Sequence, residues 1–214
     1  MFTLIPEEID NYCEEHTSDE SEILYRLNRE THLKVLRPRM LSGKLQGTFL
    51  AMISRMLKPK AILEIGTYTG YSALCLAEGL QSDGVLHTIE IEEELENIIT
   101  KHFSQSPYDQ KLTLHIGDAN LLIDQLNLEW DLVFMDAEKK EYIQYYSKVL
   151  PKLKKGGFIL VDNVLWSGKV VQDIAPNDHE TIAITQFNHF VQNDSRVRNM
   201  ILPFRDGMML IEKL

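Results

Sequence analysis

The chain has 214 residues, 44% hydrophobic and 25% charged, which is long enough for one α/β domain with a full core and needs no second domain. Its formal net charge of −10 argues against sequence-independent binding to nucleic acid, which rests on neutralising phosphates, while leaving a structured RNA substrate open. No apolar run is long enough to span a bilayer, and Met1–Asp10 lacks the basic-then-apolar order of a signal peptide, so a soluble, cytoplasmic protein without membrane contact is expected.

Pro6–Glu15 and Ser18–Leu36 predict amphipathic helices. The second opens with acids in its first turn and carries an apolar stripe of Ile23, Leu24 and Leu27. Pro38 interrupts the pattern, Met40-Leu41-Ser42-Gly43 reads as a loop, and Lys44–Leu57 returns to helix with Leu45, Phe49, Met52, Ile53 and Met56 on one side. Residues 1–57 are therefore read as a helical cap on an α/β core of residues 58–214, within a single domain spanning 1–214. The basic cluster Lys34, Arg37, Arg39 and Lys44 reads as a solvated helix face, with a local positive rim as the alternative.

From residue 61 the pattern alternates. Strands are predicted at Ala61–Ile65, Val85–Ile91, Leu112–Ile116, Leu132–Asp136 and Phe158–Asp162. Helical stretches separate them near Ser72–Leu80, Glu92–Phe103, Asn120–Leu126 and Glu141–Leu153. This order gives a doubly wound parallel sheet. Val197–Leu202 and Met208–Glu212 follow, separated by Pro203, Asp206 and Gly207 with no room for a crossover helix, so they form an antiparallel hairpin. The expected fold is a mostly parallel seven-stranded α/β sheet ending in that hairpin. Cys13 and Cys75 lack redox or metal spacing and are read as reduced thiols. The seven histidines are scattered and read as structural or solvated.

The stretch Ala61-Ile62-Leu63-Glu64-Ile65-Gly66-Thr67-Tyr68-Thr69-Gly70-Tyr71-Ser72 reads as a buried strand, a glycine turn and a helix start. Glu90 closes the next apolar run about 20 residues on, the spacing at which a carboxylate receives ribose hydroxyls. A nicotinamide site wants Gly-x-Gly-x-x-Gly and bare backbone for a pyrophosphate. Here Thr67 and Tyr68 fill the loop, and Glu64 would repel phosphate. S-adenosylmethionine carries a sulfonium, an ammonium and a ribose but no phosphate, so Glu64 and Glu90 favour it. An ordinary βα turn without a ligand is the bland alternative. Met40, a thioether on a loop, could line the site of a sulfonium, or simply pack.

Each predicted strand ends on a polar group: Glu64, Glu90, Gly117-Asp118-Ala119, Asp136, and Asp162-Asn163. Singly these are turn residues and caps; five on one rim point to a site beyond the carboxyl ends of the strands. Asp118 can accept from an adenine amino group or cap the next helix. Asp136, Asp162 and Asn163 form an oxygen-only set suited to a hard divalent cation such as Mg²⁺. Lys139, beside such a cation and partly desolvated, would have its pKa lowered and could act as a general base; a solvated helix-start lysine is the alternative.

Together with the Met40–Gly47 segment, Asp136-Ala137-Glu138-Lys139, Asp162-Asn163-Val164 and Asp206-Gly207, these motifs resemble the cation-dependent class I O-methyltransferases. That family includes catechol O-methyltransferase, caffeoyl-CoA O-methyltransferase and small bacterial relatives, and the match covers nearly the whole chain. The resemblance implies a Rossmann-like methyltransferase fold. It implies that Glu64, Gly66, Ser72, Glu90 and Ala119, with backbone around Ser42, line the S-adenosylmethionine pocket, beside Met40, Tyr68 and Asp118. It implies that Asp136 touches both cofactor and metal, that Mg²⁺ (or Mn²⁺ or Ca²⁺) sits on Asp136, Asp162 and Asn163, and that Lys139 is the base. Glu138 departs from the family, standing where catechol-methylating animal enzymes carry an aromatic residue. Trp166 and the loop Ser167–Asn177 are candidate substrate walls, with Trp166 equally a core candidate. The expected reaction is methylation of one hydroxyl of a metal-chelated vicinal dihydroxy phenol. The alternative is O-methylation of 5-hydroxyuridine in tRNA with the same metal and base. A nicotinamide oxidoreductase and a non-catalytic cofactor-binding protein are rival classes. A homodimer is expected from the family's habit.

Overall fold

The computed structural model describes residues 5–214; Met1–Leu4, part of the stretch read for a signal peptide, lie outside the described residues. Three helices come first: α1 (Glu7–Glu15), α2 (Glu22–Lys34) and α3 (Gly43–Leu57). Helix α3 stops at Lys58, left-handed at φ 49°, with Pro59 beyond it, a common way to end a helix. The core then runs β1 (Ala61–Ile65), α4 (Tyr71–Ala77), β2 (Val85–Glu90), α5 (Glu96–Ser104), β3 (Leu112–Ile116), α6 (Ala119–Gln125), β4 (Trp130–Met135), α7 (Tyr142–Lys152), β5 (Leu153–Val161), α8 (His179–Gln192), β6 (Val197–Leu202) and β7 (Met208–Lys213).

The seven strands lie in the order β3-β2-β1-β4-β5-β7-β6. Neighbours pair in parallel from β3 through to β5, whereas β7 runs antiparallel to both β5 and β6. The expected doubly wound sheet with a terminal antiparallel hairpin is thus the observed architecture. The central strand β1 is buried along its whole length, as a strand covered on both faces requires. Ile62, Leu132, Phe134 and Leu160 join one core with α2, α3, α4 and α5. Leu63, Ile65, Val133, Met135, Ile159 and Val161 join the other core, with α6, α7 and α8.

Helices α2 and α5 begin four residues later than predicted, at Glu22 and Glu96, and two further elements differ more. Strand β5 starts at Leu153, five residues before the predicted Phe158, with a register shift opposite Trp130/Leu132; Lys154, Lys155, Gly156 and Gly157 hid it because a bulged strand end needs no apolar alternation. Helix α8 was not anticipated. Its signals were present in Asp178, which accepts from Thr181 N at 3.2 Å as an N-cap, and in the buried Thr181, Ile184, Phe187 and Val191 at helical spacing.

The order of strand addition reverses between β1 and β4: the chain moves outward from β1 through β2 to β3, then returns to lay β4, parallel, on the other side of β1. In such sheets the crevice at this switch point, beyond the carboxyl ends, receives ligands. Backbone bonds align those ends. Gly66 N donates to Ile89 O (3.0 Å), Asp136 N to Ile65 O (2.9 Å), Gly117 N to Glu90 O (2.8 Å) and Asp162 N to Met135 O (3.0 Å).

Candidate active site

The switch point opens into a cavity of about 690 Å³ whose wall includes Ser42, Gly66, Tyr68, Ser72, Asp136, Lys139, Asp162 and Asn163. Met40, Glu138 and Trp166 also line it. Residues from both sides of the switch therefore meet in one space. Gly66, at φ 94°, has no room for a side chain: a Cβ there would lie 2.0 Å from the carbonyl oxygen of Asp136. The glycine lets the loop after β1 press directly on the end of β4.

The loop is fastened from below and above. Glu90 accepts from Tyr68 N (2.6 Å), Ile91 N (2.9 Å) and Glu92 N (2.9 Å). The Tyr68 hydroxyl donates to the carbonyls of Leu36 (3.0 Å) and Arg37 (3.2 Å), and Thr69 meets Thr31 through their hydroxyls at 3.0 Å. These ties hold Tyr68 in a left-handed conformation, φ 52°, which a non-glycine residue adopts only when its surroundings enforce it. Burial raises the pKa of Glu90, partly offset by the amides of Glu92, Tyr68, Ile91 and Thr67.

Glu64 is 0% exposed. Thr88 donates its hydroxyl proton to one carboxyl oxygen and Thr67 meets Thr88 behind it, while the other oxygen, Oε1, has no hydrogen-bond partner among the described residues. Burial pushes the Glu64 pKa up to about 8 against the lowering effect of the Ser72 and Thr88 hydroxyls, and the charges of Asp136 and Glu90 add to the rise. A buried acceptor without a donor costs about 1–3 kcal/mol, and a positively charged donor would satisfy it.

Across the cavity Lys139, 12% exposed in its side chain, donates to Asp136 Oδ1 at 2.8 Å and to the Tyr142 hydroxyl at 2.9 Å. Tyr142 in turn donates to the carbonyl of Asp162 at 3.1 Å. Burial alone pulls the Lys139 pKa down, as its place at the strand mouth suggested, but the charge of Asp136 and the contact with Tyr142 outweigh it and hold the ammonium. The lowering inferred from sequence therefore requires that the charge of Asp136 be neutralised first. Asp162 is 5% exposed. Its Oδ1 accepts from Asn163 N and its Oδ2 from Gln46 Nε2, each at 2.7 Å. Its pKa is raised by burial and then by the charge of Asp136, which places two carboxylates in one another's field. Asn163 is left-handed, φ 61°, a conformation asparagine tolerates better than most residues.

The remaining predicted residues lie around this space. Asp118 caps α6, accepting from Asn120 N at 2.8 Å, and Ala119 is buried in the first turn of that helix. Glu64, Glu90, Asp118 and Ala119 are not on the cavity wall itself; Glu64 and Glu90 anchor the glycine loop that is. Trp166, at φ 45°, belongs to the wall, in a turn held by Asp206, which accepts from Ser167 N. Among the described residues, no group of three or more His, Cys, Asp and Glu side chains has metal-holding geometry; the two-carboxylate, one-amide set at this cavity is a different composition.

Three neighbours escaped the sequence reading: Gln46, Tyr142 and Arg205. Tyr142 follows Lys139 by three residues, a spacing that puts two side chains on one helical face. Nothing in the sequence ties Gln46 or Arg205 to Asp162. The histidines also hold a contact that spacing did not disclose, His87 Nδ1 lying 2.8 Å from His115 Nε2 between β2 and β3. Neither lines the cavity.

Comparison with known proteins agrees with this geometry. A family model described as O-methyltransferase matches residues 14–214. The chain is similar to a caffeoyl-CoA O-methyltransferase of Stellaria longipes, at 29% identity over 86% of this chain and 83% of the relative. It is also similar to caffeoyl-CoA O-methyltransferase 2 of Eucalyptus globulus, at 32% identity over 79% of this chain and 73% of the relative. Among solved structures, an SAH-bound methyltransferase of Podospora anserina superposes with a TM-score of 0.89 at 30% identity, covering 98% of this chain and 97% of that one. An O-methyltransferase of Bacillus cereus in complex with SAH gives 0.88 at 26% identity, covering 96% and 97%. With the family model matching residues 14–214 and the fold shared with solved methyltransferases, this chain belongs to the O-methyltransferase family.

Proposed function

We propose that this chain uses S-adenosylmethionine to methylate one hydroxyl of a catechol-like vicinal dihydroxy phenol, with Lys139 as general base and a divalent cation, Mg²⁺ or else Mn²⁺ or Ca²⁺, held by Asp136, Asp162 and Asn163. The observation that carries the reading is the single cavity in which Lys139 Nζ, bonded to Asp136 Oδ1 at 2.8 Å, faces the same space as Asp162, Asn163 and the glycine loop.

The residues present fit both absent groups. The carboxyl of Glu64, buried beside the glycine loop with Oε1 unpartnered among the described residues, suits the cationic part of S-adenosylmethionine by its charge, and Glu90 and Asp118 stand at the strand ends where its ribose and adenine are expected. The resemblance adds Ser42, Gly66, Ser72, Ala119 and Asp136 to that pocket, and Met40 and Tyr68 line the same cavity. The charge of Asp136 raises the proton affinity of Asp162, and hard oxygen donors of this kind suit a hard cation. When bound, the cation supplies positive charge that acidifies a chelated hydroxyl and offsets the charge of Asp136.

The side chains do the rest. Lys139, whose ammonium would give up its proton to solvent once the charge of Asp136 is offset, then takes the hydroxyl proton in its amine form. Tyr142 holds that nitrogen in place through its hydroxyl. The loop from Gly66 to Ser72 presents the methyl donor to the resulting oxygen nucleophile, and much of the acceleration comes from holding the two reactants in line.

The test is methyl transfer from labelled S-adenosylmethionine to a panel of free catechols, CoA thioesters and 5-hydroxyuridine-containing tRNA, with and without EDTA. Turnover of a vicinal diol that is lost in EDTA and restored by Mg²⁺ is expected; undiminished turnover in EDTA would refute the metal role. The tRNA alternative draws support from Arg37 and Arg39, which line the cavity and could meet phosphate, against a net charge of −10. Leu33, Leu36, Met52 and Met56 are exposed on the helical cap, and their apolar area is where the proposed homodimer would make contact.

A further inference from the structure

We infer that Gln46 and Arg205 form a positioning pair for the proposed metal ligand Asp162, fixing its carboxylate before any cation arrives. The inference rests on the metal reading above and concerns two residues of the cavity wall that are not among the proposed metal ligands.

Gln46 sits in α3 and is 1% exposed. Its side-chain amide bridges two groups of different sign. Nε2 donates to Asp162 Oδ2 at 2.7 Å, across 116 residues of sequence, and Oε1 accepts from Arg205 Nη1 at 2.9 Å. The direction of the amide is dictated, not arbitrary. A guanidinium has donors only, so the Gln46 oxygen must face Arg205, which leaves the amide nitrogen facing Asp162. Were the amide reversed, nitrogen would meet guanidinium and oxygen would meet carboxylate, two repulsive contacts in a buried place. Arg205 is itself aimed by the carbonyl of Leu41, in the loop that precedes α3.

The effect on Asp162 is geometric. Asn163 N occupies one lone-pair direction of Oδ1 and Gln46 occupies one of Oδ2. A carboxylate has about four such directions, so both oxygens keep one free for a ligand while the plane of the group is locked. Outer partners of this kind orient metal ligands, and their loss typically weakens metal affinity about 10- to 100-fold. The pair also joins three distant segments at the cavity: α3, the end of β5, and the turn before β7.

The experiment measures Mn²⁺ binding by electron paramagnetic resonance and calorimetry, without substrate, on the full chain and on Gln46→Leu, Arg205→Leu and Arg205→Lys. S-adenosylmethionine affinity and thermal unfolding are recorded alongside. Gln46→Leu and Arg205→Leu are expected to weaken Mn²⁺ binding about tenfold or more while S-adenosylmethionine affinity moves less than about threefold. Arg205→Lys, which keeps a donor for Gln46 Oε1, should recover most of the loss. Gln46→Leu or Arg205→Leu protein that binds Mn²⁺ as tightly as the unaltered chain overturns the pair's role. So does Arg205→Lys protein as weak as Arg205→Leu. Unaltered protein that fails to bind Mn²⁺ at all overturns the metal reading itself, and the pair with it. Should Gln46→Leu fail to fold, the two Arg205 variants decide the matter.

Discussion

Tyr142 ties Lys139 to Asp162: its hydroxyl accepts from the lysine ammonium at 2.9 Å and donates to the Asp162 carbonyl at 3.1 Å. The proposed base and a proposed metal ligand thus share one fully buried phenol. Removing the base should lower kcat by about 10²–10⁴-fold in Lys139→Met, the range for a positioned proton acceptor, with S-adenosylmethionine affinity nearly unchanged. Tyr142→Phe should keep the amine but loosen it, costing about tenfold in kcat and about 1–3 kcal/mol of stability, because the Asp162 carbonyl loses its donor. Steady-state kinetics beside denaturant titration separate the two effects. Equal kcat in Lys139→Met and the unaltered chain would remove the lysine from the mechanism.

Glu64 predicts a proton release. With its pKa pushed up to about 8 by burial, the group is mostly neutral at pH 7, and a cationic ligand in the adjoining cavity favours ionisation. Binding of S-adenosylmethionine near pH 7 should therefore expel a proton, and affinity should rise with pH until about 8, then level off. Calorimetry in buffers of different ionisation enthalpy reads the proton directly; a buffer-independent heat contradicts it.

The same residue should cost stability as pH rises. Its folded pKa lies above the ordinary 4.5, so its contribution is complete below that value and is lost as pH climbs through about 8. Glu64→Gln keeps an acceptor for Thr88 without the buried charge, and its melting temperature should fall less between about pH 6 and 9 than that of the unaltered chain. Parallel pH dependence in the two proteins would show that Glu64 is not the titrating group.

Gly66→Ala should damage both fold and site. The added methyl would meet the Asp136 carbonyl at 2.0 Å, too close for any rotamer to relieve, and φ 94° is strained for alanine. A loss of about 1–3 kcal/mol is expected from the backbone strain alone, with methyl transfer reduced more than about tenfold through displacement of Asp136. Denaturant titration with activity assays tests it; a fully active, equally stable variant would mean the loop and β4 do not need their close approach.

Tyr68→Phe should loosen the cap. Its hydroxyl holds the Leu36 and Arg37 carbonyls, so about 0.5–1.5 kcal/mol of stability should go. Protease cutting around residues 36–42 should quicken, and S-adenosylmethionine affinity should drop a few-fold as the loop relaxes. Unchanged cutting rates would assign the cap's hold to Thr31 and Thr69 instead.

Much of this protein was written locally. The β-branched run Ala61–Ile65, the glycines that follow it and the alternation of strand and helix predicted the sheet, because buried parallel strands and their turns leave short-range patterns that need no partner to be recognised. The five polar strand ends were legible for the same reason, and the topology rule places such ends on one rim. Helix α8 was legible in principle, through Asp178 and the spacing of Ile184, Phe187 and Val191.

Tertiary structure alone decided the rest. Whether Asp162 would be held by Gln46, whether that amide would be oriented by Arg205, and whether Lys139 would be a free amine or an ammonium bound to Asp136 all depend on contacts between segments that the chain brings together only on folding. Hydrogen bonds and charges act over a few ångströms in space and have no period along the sequence, so composition and spacing could name the chemical groups at the site but not which would be neighbours.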